Sequence, residues 1–421
     1  MNRYLIPRDI YLPDFDKTDG TKWASVACDQ YTSEPQYWEA AYDYSKDSPS
    51  TLNLMLPEAF LSESDKRIPE INRKMKEYLE SVLVCHPQSM IYLERTQSDG
   101  KIRRGIVGAV DLEMYDYNVG SDTLIRATEG TVLERIPPRV EVRRHAALEM
   151  PHIMMLIDDP RKTVIEPISV NSDKYTVAYD FDLWAGAGHV CGRFIDGKGM
   201  TDIDKALGNL ASTEEMRKKY GIDCPPLLFA VGDGNHSLAS AKALYEEIKA
   251  EIGDKEAKNH PSRYALCEVV NLHDDALEFE PIYRVVFGAD REIFISEFSE
   301  FASKRSGTGD IPAQKITCIS DNEIKEILIE NPESNLAVGS VQTFLDEFTK
   351  KHRDVKVDYI HGVDSVKGLV EKKNAIGLLF DGMKKNELFK TVICDGALPR
   401  KTFSMGHAAD KRFYIECRKI R

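Results

Sequence analysis

The stretch Leu227 to Lys249, LLFAVGDGNHSLASAKALYEEIK, constrains the fold more than any other part of the chain. Five apolar residues, Leu227 to Val231, precede Gly232-Asp233-Gly234, and apolar positions Leu238, Ala241, Leu244, Tyr245 and Ile248 then recur at helical spacing. The pattern predicts a buried strand, a tight loop and an amphipathic helix. The glycines permit a sharp turn and close backbone approach, while the helix start offers N–H groups and the positive end of its dipole. Such a place attracts anions, phosphate above all. Asp233, Asn235, His236 and Ser237 add a carboxylate, an amide, an imidazole and a hydroxyl within one turn. The plainer alternative is that Asp233 or Asn235 only caps the helix and His236 satisfies nearby backbone.

A chain of 421 residues holds two or three lobes with substantial cores. Its 42% hydrophobic and 30% charged content is that of an ordinary globular protein. A net charge of −13 argues against coating duplex DNA, which needs a basic face. No apolar run approaches membrane-spanning length and the start does not read as a signal peptide, so a cytoplasmic protein is expected. The eight cysteines are scattered singly, with no C-x-x-C pair to suggest zinc or a redox couple.

The periodicities elsewhere predict mixed α/β to α+β architecture in two or three interlocked lobes, at 1–165, 166–290 and 291–421. Residues 66–84 read as an amphipathic helix through Ile68, Ile71, Met75, Tyr78, Leu79 and Val82. SMIYLERTQ and IRRGIVGAVDLEMY, joined at Ser98-Asp99-Gly100, read as a hairpin. Lys101, Arg103 and Arg104 follow that turn and together could face a polyanion. The aromatics of residues 1–65, Trp23 and Trp38 among them, read as core. Asp158-Asp159-Pro160 suggests an acidic turn with a structural role rather than a magnesium site. Thr213 is expected to cap a helix. Leu124 to His145 sets Glu129 between Thr128 and Thr131 at a strand end, with Arg126, Arg139, Arg143 and Arg144 nearby. A carboxylate there could take a proton from a hydroxyl while guanidiniums hold phosphate oxygens. At Arg143 and Arg144 a surface ion-pair network is the stronger reading.

Several of these motifs resemble one family. The box Asp233-Gly234-Asn235-His236-Ser237 is similar to the Asp-Gly-His-His-Arg box of a bacterial and archaeal family of unknown function, related to the ParB/sulfiredoxin superfamily and its free serine kinases. Arg126, Glu129 and Thr131 match its Arg-x-His-Glu-x-Thr strand end. ACDQYTSEPQYWEAA, with Asp29 and Tyr31, is similar to its opening loop. Pro281 and Arg284 match a Pro-Thr-His-Arg segment, Tyr359, His361 and Asp364 a His-bearing strand end, and Pro399, Lys401 and Thr402 a terminal Pro-x-Lys-Ser-Thr segment that also carries His407 in a turn.

The resemblance implies a ParB/sulfiredoxin-like strand-loop-helix phosphate site. It implies phosphoryl transfer between ATP or ADP and a small hydroxy amino acid, serine or phosphoserine, with magnesium. Gly234, Asn235, His236 and Ser237 would cradle phosphate, Asp233 would hold magnesium or orient substrate, and Glu129 would be the general base. Ser237 stands where the box has arginine, so Arg126, Arg139, Arg284 or Lys401 must restore the lost charge. Asn235 replaces a histidine and stands just before His236, where sulfiredoxins carry their cysteine, which disfavours peroxiredoxin repair. The alternatives are a nucleotide-responsive binding or regulatory protein without turnover, and a small-molecule phosphoesterase.

Overall fold

The computed structural model describes every residue except 1–2, 27–30, 33, 151, 308, 310, 321–322, 374 and 407–409. Asp29 and His407 therefore lie outside the described residues. The chain forms two compact units, one of residues 1–277 with 407–421 and one of residues 278–406. The second unit is thus an insertion near the C-terminus of the first.

The first unit is built on a mixed nine-stranded sheet. Its strands in chain order are β1 (Ile91–Thr96), β2 (Ile102–Asp111), β3 (Tyr115–Asp116), β4 (Ile125–Ala127), β5 (Met154–Ile157), β6 (Thr176–Asp182), β7 (His189–Phe194), β8 (Phe229–Asp233) and β9 (Tyr264–Asn271). Their spatial order is β6-β7-β1-β2-β9-β5-β8-β4-β3. Strands from both sides of residue 165 alternate in this one sheet, so the boundary expected there is not a domain boundary. β1 and β2 form the expected antiparallel hairpin, with Gly100 at the turn in a left-handed conformation (φ 83°).

The central strands are apolar on both faces because both faces are covered. Cys267 and Val269 of β9 point into a core shared with Leu207, Leu238 and Tyr245. Leu266 points into a second core with Trp23, Trp38, Ile71, Met75 and Tyr78. Ile71, Met75 and Tyr78 lie on α1 (Ser64–Ser81), the helix expected over 66–84, and the tryptophans are core as their composition suggested. Ser212, one residue earlier than expected, caps the helix that begins at Thr213, through its hydroxyl and the Glu215 N–H.

Glu268 also points into this second layer, where no water can solvate it. Its carboxylate accepts from Arg103 Nε at 3.3 Å and Arg412 Nη1 at 2.5 Å. Arg412 Nη2 continues to Glu416 at 2.6 Å, and Glu416 accepts from the Tyr179 hydroxyl at 2.5 Å. Arg103 also donates to the Asp410 carbonyl, and the Asp410 carboxylate accepts from Ser98. A second buried carboxylate, Glu149, is held by Arg418 and Arg143, each at 2.6 Å. These bonds fasten residues 410–421 into the first unit. The expectation that Lys101, Arg103 and Arg104 share a basic face fails here: Arg103 is buried on Glu268, while Lys101 pairs with Asp99 at the turn.

In the second unit β10 (Phe279–Phe287), β11 (Gln314–Ser320), β12 (Glu323–Ile329), β13 (Lys356–His361) and β14 (Ile376–Phe380) lie in the order β12-β11-β14-β10-β13. A further strand, β15 (Phe403–Met405), also pairs with β10. The cut expected at residue 290 falls just after β10, which the structure places wholly in this unit. Among the described residues no helix is long and apolar enough to cross a membrane.

Burial opposes the negative charge of Glu268, but Arg103 and Arg412 outweigh it and hold its carboxyl below the ordinary value. The pair's stabilisation is therefore present above the unfolded-state carboxylate value and is lost as acid takes pH down through the lowered one. Glu268→Gln leaves buried Arg103 without a counter-charge and Arg412 with Glu416 alone, and should cost about 3–5 kcal/mol. Chemical denaturation at neutral pH measures this; a loss under about 1 kcal/mol would show that the pair does not hold the C-terminal segment in place.

Candidate functional site

β8 ends at Asp233, Gly234 turns, and α3 (Asn235–Ile252) begins, as the sequence predicts. Gly234 is required twice over. Its φ is 83°, and a Cβ there would come within 3.0 Å of the Ile153 Cα. Gly234 also serves as the helix N-cap, so no side chain caps α3. First-turn N–H groups such as those of Asn235 and Ser237 have no helical carbonyl within reach.

The Glu129 loop is pinned to this box at both ends. Thr128 Oγ1 donates to the Val231 carbonyl at 2.7 Å, and the Val132 N–H donates to His236 Nε2 at 3.3 Å. In that second bond Nε2 is the acceptor. Between these anchors sits Glu129, half-buried. The Thr131 hydroxyl and Asn235 Oδ1 are buried polar atoms without a hydrogen-bond partner, an arrangement that proteins seldom tolerate away from a ligand.

Asp233 accepts from the Gly234 N–H at 2.8 Å through Oδ1 and from Lys411 Nζ at 3.0 Å through Oδ2. Burial works against its charge, yet Lys411 and nearby His152 prevail and lower its carboxyl below the ordinary range. His152 enters from the segment before β5. Its Nε2 lies 3.1 Å from Ser237 Oγ, and its Nδ1 lies 2.9 Å from the Tyr414 hydroxyl. Tyr414 belongs to the short strand Phe413–Tyr414, which pairs with Ser25–Val26. Burial and the Asp233 charge push its phenol upward, so it stays protonated.

Sequence reasoning placed Glu129, Asp233, Gly234, Asn235, His236 and Ser237 here, and the structure brings them together. The expected arginines are engaged by protein groups. Arg126 is buried and donates to the carbonyls of Thr123 and Pro225. Arg139, on α2 (Ile136–Arg144), pairs with Glu58 at 2.9 Å; Arg144 is in a surface ion pair with Glu247 as expected, whereas Arg143 is paired with the buried Glu149. Arg284 is fully buried in the second unit, where it donates to the carbonyls of Ile282, Arg400 and Lys401 and lies 4.5 Å over the Tyr359 ring. It shapes the Pro399–Thr402 turn instead of holding phosphate. Lys401 contributes its carbonyl to that bond and its side chain is exposed. Asp158 and Asp159 have the structural role expected: Asp158 pairs with His273 and Asp159 accepts from the Val164 N–H.

The cation paired with the box is Lys411, on Asp233, which the sequence reading missed along with His152 and Tyr414. Lys411 lies ten residues past the lysine that motif matching selected, and only the anchoring of Arg412 beside it betrays its place. Asp233, the residue expected to hold magnesium, has one hydrogen bond on each carboxylate oxygen, and among the described residues no group of three or more His, Cys, Asp or Glu side chains could hold a metal ion.

The chain belongs to the family described as a protein of unknown function (DUF1015), whose model matches residues 12–389. No curated protein matches it. Among solved structures it is similar to a conserved hypothetical protein from Pyrococcus furiosus at 12% identity and a TM-score of 0.35, covering 71% of this chain and 90% of that one. It is also similar to a free serine kinase in complex with AMP, at 10% identity and a TM-score of 0.38, covering 75% of this chain and 91% of that one. A mutant of a free serine kinase in complex with ADP gives 10% and 0.38, covering 76% and 93%. Scores this low carry no argument about function, which rests on the site itself.

Lys411→Met removes the charge that holds Asp233 ionised but leaves its burial. The Asp233 carboxyl should then titrate at higher pH than in the native protein, read by NMR on the labelled side chain. An unchanged titration would mean that Lys411 does not pair with Asp233 in solution.

Proposed function

We propose that the protein transfers a phosphoryl group between a nucleotide, ATP or ADP, and a small hydroxy amino acid, serine or phosphoserine. The observation that carries this reading is the uncapped first turn of α3, set beside Lys411 and the doubly anchored Glu129 loop. Backbone N–H groups and one ammonium suit the equatorial oxygens of a transferring phosphoryl group, whose charge needs fixed donors more than covalent help. The Thr131 hydroxyl offers a buried donor for the same ligand.

In this reading Glu129 takes the proton of the attacking hydroxyl, the phosphorus–oxygen bond to the nucleotide breaks, and the nucleotide leaves with one phosphate fewer. Asp233 holds Lys411 against the transferred group and fixes the Gly234 turn. Magnesium arrives with the nucleotide phosphates, which with water supply most of its ligands. The similarity of the box to that of the free serine kinases supports the choice of substrate class.

Purified protein incubated with serine or phosphoserine, magnesium, and ATP or ADP should interconvert the amino-acid forms, followed by phosphorus NMR. Asp233→Asn should keep the fold and lose turnover, and Lys411→Met should lower it about 100-fold. Saturable nucleotide binding without turnover in any pairing would overturn the transfer reading in favour of a regulatory binding protein.

A further inference from the structure

Direct transfer uses Glu129, Asp233 and Lys411 but leaves one group of side chains without a task. Ser237 Oγ sits 3.1 Å from His152 Nε2, and His152 Nδ1 sits 2.9 Å from the Tyr414 hydroxyl. A hydroxyl in reach of an imidazole whose other nitrogen is fixed by a third group is the arrangement that activates a nucleophile. Three separate parts of the chain supply it: the α3 first turn, the segment before β5 and the C-terminal strand. Asp233 adds a carboxylate close to the ring and is itself bound by Lys411, while Arg143, Arg139 and Arg412, each paired with a carboxylate, face the Tyr414 phenol. Ser237 is also the residue of the box that stands in place of arginine, so this chain has a hydroxyl where its relatives' pattern has a cation.

We propose that Ser237 is a nucleophile, with His152 as its base and Tyr414 as the residue that positions His152. When the His152 Nδ1–H is donated to the Tyr414 oxygen, Nε2 is left to accept the Ser237 proton. Resting on the phosphoryl-transfer reading above, the step is a double displacement. Ser237 Oγ attacks the terminal phosphorus of the nucleotide; the new Oγ–P bond forms, the bond to the bridging oxygen breaks, and the Oγ proton passes to His152 Nε2. The shortened nucleotide leaves. In the second half the acceptor hydroxyl, deprotonated by Glu129, attacks the phosphoserine phosphorus, and His152 returns its proton to Oγ. The N–H groups of the α3 first turn face the same oxygens in both halves.

The nucleophile can be tested without any nucleotide. Full-length protein is treated with a fluorophosphonate ester, which reacts with an activated serine by displacing fluoride, and intact mass and peptide mapping read the adduct. A single adduct on Ser237 is expected. Its rate of formation should fall about 100-fold or more in His152→Gln. Tyr414→Phe, which leaves the ring in place and removes only the oxygen, should shift the pH profile of labelling, an effect that loss of packing would not produce. Thermal melting confirms that each variant is folded. If His152→Gln proves unfolded, peptide mapping of the native protein still decides the matter: no adduct on Ser237 overturns the proposal, as does a rate unchanged in a folded His152→Gln.

A second arm separates this inference from the reading it rests on. With nucleotide and magnesium, the native protein should acquire one phosphoryl group on Ser237, absent in Ser237→Ala. An adduct on Ser237 with no nucleotide chemistry would keep the nucleophile and sink the nucleotide reading. Turnover with neither adduct nor phosphoserine at 237 would keep phosphoryl transfer as a direct displacement and overturn the role of Ser237.

Discussion

The buried pair of Glu268 and Arg412 is the contact on which the rest of the first unit depends. Glu268 sits on the central strand β9 with no exposed surface, and its charge is sustained by Arg412 and Arg103. Removing ions from water costs several kcal/mol each, and the pair offsets that through the 2.5 Å bond between Arg412 and Glu268 and the further bond from Arg412 to Glu416. A hydrophobic replacement could stabilise the sheet equally well. What it could not do is specify that residues 410–416 cross this layer in one register. The ionic chain from Arg103 through Glu268 and Arg412 to Glu416 and Tyr179 does so, and Gly105 leaves room for the Glu268 carboxylate, which a Cβ would approach within 2.7 Å.

That register sets the chemistry. Lys411 and Tyr414 flank the buried Arg412, so the bond that fixes the arginine also delivers an ammonium to Asp233 and a phenol to His152. The site combines a local element, the β8-Gly234-α3 turn, with pieces from residues 128–132, 152 and 411–414. The local element provides backbone donors and the distant pieces provide charge, base and proton. Its electrostatics follow from this division. A helix N-terminus favours anions, Asp233 contributes one, and Lys411 balances it, leaving the remaining N–H groups for a ligand.

Most of the secondary structure was legible because it follows from periodicity. The helix over Ser64–Ser81, the β1–β2 hairpin with its Asp-Gly turn and the β8-α3 box all declare themselves through spacing and glycine. The lobe boundaries were not legible. Strands β5 and β9 lie more than one hundred residues apart yet pair in parallel, and nothing in either strand names its partner. The arginines misled for a related reason. Arg126, Arg139 and Arg284 are each at a plausible place in a motif, but a guanidinium has five donors and is satisfied equally by phosphate or by carbonyls. Which of these it meets is decided by the surrounding fold. All three meet protein groups.

By itself the sequence determined the mixed α/β class, the strand, turn and helix of the box, and the presence there of Asp233, His236 and Ser237. These depend on interactions between near neighbours: hydrophobic spacing, a positive φ that only glycine accepts without strain, and N–H groups that a helix start cannot satisfy. The tertiary structure alone decided that Lys411, His152 and Tyr414 meet the box and that Arg126, Arg139 and Arg284 meet other protein groups. Those choices depend on contacts between residues up to 262 positions apart, as between His152 and Tyr414, whose partners are selected by burial and charge compensation across the whole sheet.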